Sequence, residues 1–455
     1  MDDTLRAENE RLLALVKTQA AQIEKLTALV EELRRKQHRP HAPFAKPLKP
    51  DPKPPGRKSG DDYGTKAFRA VPPRIDELHD APLPEKCPRC GGGVDFVKMA
   101  EQFQTEIPKI EPVYRKFNVA IGRCTCCQKR VQGRHQLQTS DALGAAKSQM
   151  GAHAQALVTR LNKHYGLSHG KAVGLLSEMC CTALSRGASA QIMLRAAQRC
   201  GSAYKEIQIV VRQSQWCVPD ETGWKVAGKL HWMHVFASEL ATLYLIRDSR
   251  SFDVAAEALG EDYDGVLIRD GWAPYDRFKQ ATHQQCNAHL LRRCDHLLES
   301  ATRGAVNFPR QVKALLKEGL AARDAREAGK LTQSRAAARA ERLTGKLAAL
   351  CVRKTHAGNE RLASFFDYHI SEIFNYLRFP NIDATNWRAE QAIRPAVVNR
   401  KVWGGNRTLN GADAQGILMS VLRTAVQQGK HALEFLAQTL RAPPKCAPRL
   451  ITGPT

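Results

Sequence analysis

The sequence has no long hydrophobic run. No stretch of its 455 residues reaches the roughly 18 to 20 uncharged apolar residues that a membrane span requires. The chain opens with Met1, Asp2 and Asp3, and it lacks the basic and then apolar segment of a secretory signal. Both absences predict a cytoplasmic protein.

Acidic residues are scarce relative to basic ones. The chain has 45 Asp and Glu against 69 Lys and Arg, which gives a formal net charge of +24. Such a charge favours a polyanionic partner through its field and through the release of counterions, and nucleic acid is the foremost candidate. If the partner is DNA, we expect the protein to be associated with the nucleoid.

Residues 1–37 carry a heptad pattern. One seam position holds Leu5, Leu12, Gln19, Leu26 and Leu33, and the other holds Asn9, Val16, Ile23 and Val30. Leucine at one position, β-branched residues at the other and a single Asn favour a parallel dimeric coiled coil. An amphipathic helix packed on its own domain is the alternative. Residues 38–84, rich in Pro, Lys, Arg and Gly, predict a basic linker.

Thirteen cysteines, an odd number, argue against a disulfide framework and favour thiols, some of them on a metal. Within residues 85–135, two C-x-x-C pairs are formed by Cys87, Cys90, Cys124 and Cys127. Each short loop presents two sulfur atoms, so the spacing predicts a tetrahedral structural Zn²⁺ site in a zinc ribbon-like module. Cys126 competes with its neighbours as the fourth ligand. The alternation from Phe103 to Ile121 predicts strands between the two pairs.

Residues 140–205 predict helices with a break at residues 165–168. Ser168 is a candidate N-cap and Lys171 an early residue of the second helix. The pattern fits a DNA-binding helix-turn-helix, and it fits an ordinary helical hairpin equally well.

Residues 210–430 alternate between strand and helix patterns. Strand patterns run from residue 215 to 220, from 223 to 238 with a reversal near residues 227–228, and from 241 to 247. They make an antiparallel meander of three strands, which is followed by a helix at residues 252–259, a strand at 265–269, a helix around 275–279 and a strand near 283–286. This order predicts an α/β domain with a ribonuclease H-like fold. Residues 287–380 would be a mostly helical insertion, and residues 431–455 a C-terminal tail.

Three acids occur where such a fold needs them. Asp220 lies in the first strand, Asp270 ends the fourth, and Glu390 lies in a later helix. Cleavage of a phosphodiester with two Mg²⁺ or Mn²⁺ ions requires converging carboxylates, because these ions prefer oxygen ligands. Asp220, Asp270 and Glu390 are therefore the predicted catalytic, metal-binding residues.

The chain resembles the insertion-sequence 66 (IS66) family of bacterial DDE transposases over nearly its whole length. The resemblance rests on the zipper-like start, the cysteine pairs, the blocks at residues 220–224 and 228–232, the block at residues 270–272, the block at residues 286–289 and the block from Ala389 to Pro395. It implies that the acidic triad is Asp220, Asp270 and Glu390. Gln391 stands where an Arg commonly follows the acid, which puts any role of that Arg in doubt.

Each acid has an alternative interpretation. Asp220 could belong to a turn with Glu221 as the true ligand, Asp270 could begin a turn before Gly271, and Glu390 could be a solvated helix carboxylate. Cys286 and His289 are two ligands and do not close a metal site, so we expect them to support the active site.

A basic and aromatic segment follows Glu390. It consists of Arg394, Arg400, Lys401, Trp403 and Arg407. Such residues suit phosphates beside a cleavage point, although a solvated basic face is the alternative.

The predicted function is that of a transposase that binds terminal inverted repeats of double-stranded DNA, cleaves the strand and joins it to target DNA. A catalytically silent zinc-containing DNA-binding regulator and a structure-specific nuclease of the same fold are the rival hypotheses. Holding two DNA ends implies a homodimer or higher oligomer. Accessory proteins of the element are further candidate partners.

Overall fold

The computed structural model describes residues 2–37, 70–143, 148–301, 303–352, 356–443 and 446–451. The chain forms two compact units, residues 1–108 and residues 109–455. Of the predicted linker, residues 38–69 lie outside the described residues, and residues 70–84 contain neither helix nor strand.

The first unit begins with helix α1 (Asp2–Gln37). Side chains of the predicted seam are exposed on it, among them Leu12, Val16, Ile23 and Leu26, which are 50–64% exposed. A helix with an uncovered apolar seam agrees with the heptad pattern, and its pairing into a coiled coil stays a prediction.

The strands expected from Phe103 to Ile121 are largely absent, so this prediction was wrong. Between residues 91 and 120, all of which the structure describes, no strand is formed. Only β1 (Ile121–Arg123) and β2 (Arg130–Gln132) pair, as an antiparallel hairpin around the second cysteine pair. The apolar side chains that gave the alternation, such as Ile107, Val113 and Tyr114, are exposed. A segment with alternating apolar and polar residues forms a strand only when a partner strand pairs with it and a core covers its apolar face.

The predicted helical region contains four helices. They are α2 (Ala152–Lys163), α3 (His169–Cys180), α4 (Arg186–Arg199) and α5 (Gly201–Arg212). The chain breaks between α2 and α3 where the sequence predicts it. The Ser168 side chain accepts a hydrogen bond from the Lys171 N–H, so Ser168 is the N-cap of α3. Gly166, at φ +74°, supplies the left-handed conformation that the turn needs.

A five-stranded mixed sheet forms the centre of the second unit. Its strands are β3 (Trp216–Val226), β4 (Lys229–Ser238), β5 (Thr242–Arg247), β6 (Val266–Arg269) and β7 (Thr282–Gln285). The spatial order is β5-β4-β3-β6-β7. The β3, β4 and β5 strands are antiparallel neighbours, whereas β6 runs parallel to both β3 and β7. Ala227 and Gly228, both with positive φ, make the tight turn between β3 and β4.

Helices cover both faces of this sheet. On one face, α5, α6 (Phe252–Leu259), α13 (Leu409–Gln427) and α14 (Ala432–Arg441) form a core with side chains such as Cys217 and Leu267. The other core includes Trp216, Val218 and Ile268 and is covered by α12 (Trp387–Trp403) and by the insertion. Successive residues of a strand face opposite sides of the sheet. Since helices cover both sides, the residues on both faces of these strands are apolar.

The insertion is helical, as predicted. It contains α7 (Asn287–Ser300), α8 (Asn307–Glu327), α9 (Gln333–Val352), α10 (Glu360–Tyr368) and α11 (Asn375–Arg378). Short 3₁₀ turns at Arg303–Val306, Ala357–Asn359 and Ile370–Glu372 connect them.

Two further predictions need correction. The helix expected around residues 275–279 is a 3₁₀ turn, Ala273–Arg277, because the short connection between β6 and β7 holds Pro274 at the start of the turn and buries Tyr275 and Phe278. The expected C-terminal tail contains α14, whose Phe435 and Leu436 are buried in the first core. None of the helices in the described part of the chain combines the length and the hydropathy of a membrane span.

Candidate active site

Asp220 and Asp270 lie on neighbouring parallel strands. Trp216 and Cys217 of β3 pair with Val266 and Leu267 of β6. Continuing this register along both strands places Asp220 level with Asp270, the residue that follows β6. Neighbouring strands are about 4.8 Å apart, so the two carboxylates start from adjacent points of the sheet.

The electrostatics of Asp220 show that the three predicted acids influence one another. Burial, together with the charges of Glu221, Asp270 and Glu390, raises the pKa of Asp220 to about 7. One Asp220 oxygen accepts a hydrogen bond from the Glu221 N–H at 2.9 Å, which opposes this rise. A buried carboxylate surrounded by like charges requires a proton or a cation.

Glu390 lies in the first turn of α12, and this helix packs on β3 and β4. Val218 of β3 shares a core with Ala389 and Ile393 of α12. Asp220, two residues after Val218, therefore lies on the face of the sheet that α12 covers. The Glu390 side chain is about half exposed, and its Oε1 accepts a hydrogen bond from Arg292 at 3.4 Å.

A glycine in the left-handed conformation and a buried ion network fix the end of β6. Gly271 has φ +88°, and the Asp270 carboxylate accepts a hydrogen bond from the Trp272 N–H at 3.1 Å. Arg269 is completely buried and forms ion pairs with Asp276 at 2.6 Å and Glu372 at 2.8 Å. These contacts join the strand before Asp270 to the loop after it and to the insertion.

The triad does not form a closed coordination sphere. Within the part of the chain that the structure describes, no three His, Cys, Asp or Glu side chains form a group that could hold a metal ion. The Glu390 carboxylate lies beside Arg292, and His289 Nε2 is 3.9 Å from its Oε1. The strand register extends to Asp220 and Asp270, and Glu390 lies about half exposed on α12.

Glu221 is held by contacts that the sequence did not indicate. Its carboxylate pairs with Arg250 at 3.1 Å and accepts a hydrogen bond from the Tyr275 hydroxyl at 3.2 Å. Burial and the charge of Asp270 raise the pKa of Glu221, and Arg250 opposes this. As the neighbour of Asp220 on a strand, Glu221 points to the opposite face. Its role is therefore distinct from that of Asp220.

The Arg250 guanidinium packs against the rings of two tryptophans. The centre of its guanidinium lies 3.4 Å from the Trp272 ring centroid and 4.6 Å from that of Trp232. The Trp272 indole also donates to the Arg250 carbonyl at 3.3 Å. Cation–π contacts of this kind hold a guanidinium in one orientation. Trp232 and Trp272 belong to sequence blocks of the predicted catalytic region, but the serine-rich loop around Arg250 carries no recognisable motif.

Cys286 and His289 make different contacts. Cys286 is buried, its Sγ donates to Asn386 Oδ1 at 3.1 Å, and the Asn386 N–H donates back to Sγ at 3.3 Å. Asn386 immediately precedes α12, so this thiol connects the end of β7 to the helix that carries Glu390. His289 lies beside Glu390.

The residues of the basic segment divide into two groups. The Arg400 guanidinium donates to the Gly223 carbonyl and, at 3.2 Å, to the Thr222 hydroxyl, so it fixes α12 on β3. Arg394, Lys401 and Arg407 have exposed side chains. The Trp403 ring packs edge-on against Trp224, with the ring centroids 5.7 Å apart.

The two cysteine pairs have the same backbone turn. The N–H groups of Gly91 and Gln128 donate to the carbonyls of Cys87 and Cys124 at 2.8 Å and 3.0 Å, respectively. Both donor residues have positive φ, +76° for Gly91 and +56° for Gln128.

The thiols of these turns are also alike. Backbone hydrogen bonds from Arg89 and Cys90 lower the pKa of Cys87, and those from Cys127 and Cys126 lower the pKa of Cys124. Hydrogen bonds that stabilise a thiolate also suit a metal ligand. Because the turns match, Cys127 corresponds to Cys90, and Cys126 lies between the two equivalent positions.

Comparison with known families agrees with this architecture. The profile of the transposase IS66 family matches residues 147–414. The matched segment runs from just before α2 into α13 and contains Asp220, Asp270 and Glu390. A comparison with curated proteins gave no match. Because the profile covers more than half of the chain, the protein belongs to the IS66 family of transposases.

Proposed function

We propose that this chain is an active DDE transposase whose second unit contains a ribonuclease H-like core. The observation that carries the proposal is the parallel register of β3 and β6, which leads to Asp220 on β3 and to Asp270 directly after β6, with Glu390 on the helix that packs over β3. Three antiparallel strands followed by two strands parallel to the first agree with the predicted fold. Membership of the transposase family supports the same function.

The acids fit divalent cations. Asp220 and Asp270 offer carboxylate oxygens, which Mg²⁺ and Mn²⁺ prefer, and the raised pKa of Asp220 reflects negative charge that a cation would offset. Two such ions would stabilise the attacking and leaving oxygens of an in-line displacement at phosphorus. Asp220 and Asp270 would hold them, and Glu390 would join when its carboxylate leaves Arg292.

The remaining residues position this centre. Arg250 and Tyr275 both hold the Glu221 carboxylate, and Cys286 fixes the start of α12. Such support matters because a displacement of about 1 Å can lower a catalytic rate by roughly a hundredfold. The exposed Arg394, Lys401 and Arg407, with helices α2 to α5, would contact the phosphates and bases of the terminal repeats.

We further propose that Cys87, Cys90, Cys124 and Cys127 bind structural Zn²⁺, since both pairs show the same turn and the pKa of the first thiol of each is lowered. The exposed seam of α1 would pair protomers, as holding two DNA ends requires.

The test is cleavage and strand transfer on labelled DNA that carries the flanking terminal repeats, with Mg²⁺, in wild type and Asp270→Asn. We expect metal-dependent joining that the variant loses while it still binds the repeats. Tight binding without cleavage in the wild type, even with accessory proteins of the element, would favour the silent regulator. Cleavage without joining would favour the nuclease.

A further inference from the structure

A cavity of about 1130 Å³ lies where the N-terminal ends of three helices meet. Its wall includes first-turn residues of α3, α4 and α13, with a glycine from each helix: Gly170, Gly187 and Gly411. None of the three helices has an acidic residue in its first turn. The N-terminus of a helix carries partial positive charge and N–H groups without partners in the helix. In each of these three helices a cap side chain, Ser168, Ser185 or Thr408, accepts from one such N–H. Three of them around one space favour an anionic ligand.

The charged side chains of the wall act in the same direction. Lys163, Lys171, Arg186 and Arg407 line the cavity together with a single acid, Glu178. Lys163 is buried, its Nζ donates to Gln415 Oε1 at 2.5 Å, and burial lowers the pKa of its ammonium to about 7. An anion bound nearby would stabilise the charged form of Lys163.

Two buried polar atoms of the wall have no hydrogen-bond partner among the described residues. They are Asn162 Oδ1, an acceptor, and Trp403 Nε1, a donor. Asn162 is only 2% exposed, and its amide nitrogen already donates to the Leu167 carbonyl at 2.7 Å. Both atoms are closed to solvent, and an unsatisfied buried polar atom costs about 1 to 3 kcal/mol. A ligand that shifts these side chains and offers them a donor and an acceptor would therefore be stabilised here. The edge of a nucleobase offers both, and its flat face suits an indole ring.

Hydrogen bonds connect the wall of the cavity to β3, the strand that carries Asp220. Asn406, on its wall, forms hydrogen bonds with the end of β3: its N–H donates to the Lys225 carbonyl at 2.9 Å, and its Oδ1 accepts from Trp224 Nε1 at 2.7 Å. From Asp220 to Val226 along β3 the rise is about 20 Å. From Glu390 to Trp403 along α12 it is also about 20 Å. Roughly six nucleotides of B-form DNA span this distance, at about 3.4 Å each.

We infer that this cavity binds one or two nucleotides of a single DNA strand, with phosphate at the helix N-termini and the base beside Asn162 and Trp403. The inference rests on the proposed function, because it assumes that the same DNA reaches the carboxylates. The volume of about 1130 Å³ slightly exceeds the roughly 300 to 1,000 Å³ of usual ligand cavities. A cube of this volume is about 10 Å across, less than the width of the major groove of a double helix, about 12 Å, and therefore less than the whole duplex.

The experiment compares two labelled DNAs with the full-length protein: a blunt duplex and the same duplex with a single-stranded thymidine tail. The wild type should bind the tailed duplex about tenfold more tightly, the size of effect that one stacked and contacted base gives. The double variant Lys171→Gln/Arg407→Gln should lose most of this preference. Trp403→Phe, which keeps a ring against Trp224 and removes the N–H, should reduce the preference about three- to tenfold.

The matched control is Arg335→Gln/Lys346→Gln, which removes the same charge from exposed positions of α9. It should weaken binding to both DNAs slightly and leave their ratio unchanged. An equal affinity of the wild type for the two DNAs would overturn the inference. So would an unchanged preference in the Lys171→Gln/Arg407→Gln variant.

Binding of deoxyadenosine monophosphate distinguishes a site for a DNA strand from a site for a free nucleotide. Weak binding, with displacement of the tail only at high concentration, supports a strand site. Tight binding that the double variant abolishes, with no tail preference in the wild type, would overturn it. Failure of the proposed function gives a different result: a normal tail preference with no Mg²⁺-dependent cleavage.

Discussion

Asp220 and Glu221 are adjacent in sequence, yet they have different surroundings. Asp220 lies on the face of β3 that α12 covers, and it is affected by the charges of Asp270 and Glu390. Glu221 lies on the other face, bound to Arg250 and Tyr275. The sequence alone left open which of them is the metal ligand. The alternation of side chains along a strand, once the register with β6 is known, favours Asp220.

At the residue scale, Cys286 offers a direct test of how Glu390 is positioned. Cys286→Ala removes both hydrogen bonds to Asn386 and should lower the cleavage rate about ten- to a hundredfold, because the start of α12 loses its connection to β7. Affinity for repeat DNA should stay the same. Cys286→Ser, which keeps a donor and an acceptor, should restore part of the rate.

Cys294→Ala is the matched control. Cys294 is equally buried on α7, but it has no hydrogen bond to Asn386 among those found in the structure. The substitution removes the same volume and should cost stability without a specific loss of cleavage. If both variants lose cleavage equally, Cys286 contributes only to packing.

At the element scale, the order of strands was predictable because each strand has its own alternation of apolar residues and its own turn residues. The hairpin at Ala227 and Gly228, the helix from Phe252 and the strand ending at Arg269 all follow from local pattern. Where the pattern lacked a tertiary partner, as between residues 103 and 120, the prediction was wrong. Conversely, α14 was missed because its burial depends on α2, which is distant in sequence.

The site was predictable only in part for the same reason. The carboxylates occur in recognisable blocks, whereas Arg250 and Asn386 acquire their contacts through the fold. Long-range contacts of this kind leave no periodic signal in a single sequence.

The cysteine turns give a second prediction at this scale. The full-length protein should bind Zn²⁺, and Cys87→Ser and Cys124→Ser should each release it, measured as metal content after dialysis. Cys126→Ser is the control, and the turn geometry predicts that it retains the metal. Release in Cys126→Ser with retention in a Cys127→Ser variant would show that the ligand assignment is wrong.

At the scale of the whole molecule, the exposed seam of α1 predicts self-association. Val16 and Ile23 of this seam are about 60% exposed. The double substitution Val16→Lys/Ile23→Lys should convert a dimer into a monomer, because two charges in the seam oppose pairing. Ala14→Lys/Ala21→Lys adds the same charge on the outer face and should leave the mass unchanged.

Light scattering during gel filtration measures the mass of each variant. A wild type that is monomeric at all concentrations would contradict the coiled-coil prediction. A dimer that persists in Val16→Lys/Ile23→Lys would show that the protomers associate elsewhere.

The central claim is that Asp220 and Asp270, rather than Glu221, hold the catalytic metal ions. Calorimetric titration of the full-length protein with Mn²⁺ tests it most directly, comparing the wild type with Asp220→Asn, Asp270→Asn and Glu221→Gln. The structure predicts that the two Asp variants lose affinity at least about tenfold each. Glu221→Gln, which keeps a partner for Tyr275, should bind Mn²⁺ within about threefold of the wild type, as expected of a residue outside the coordination sphere. Normal binding in Asp220→Asn together with loss in Glu221→Gln would contradict the account.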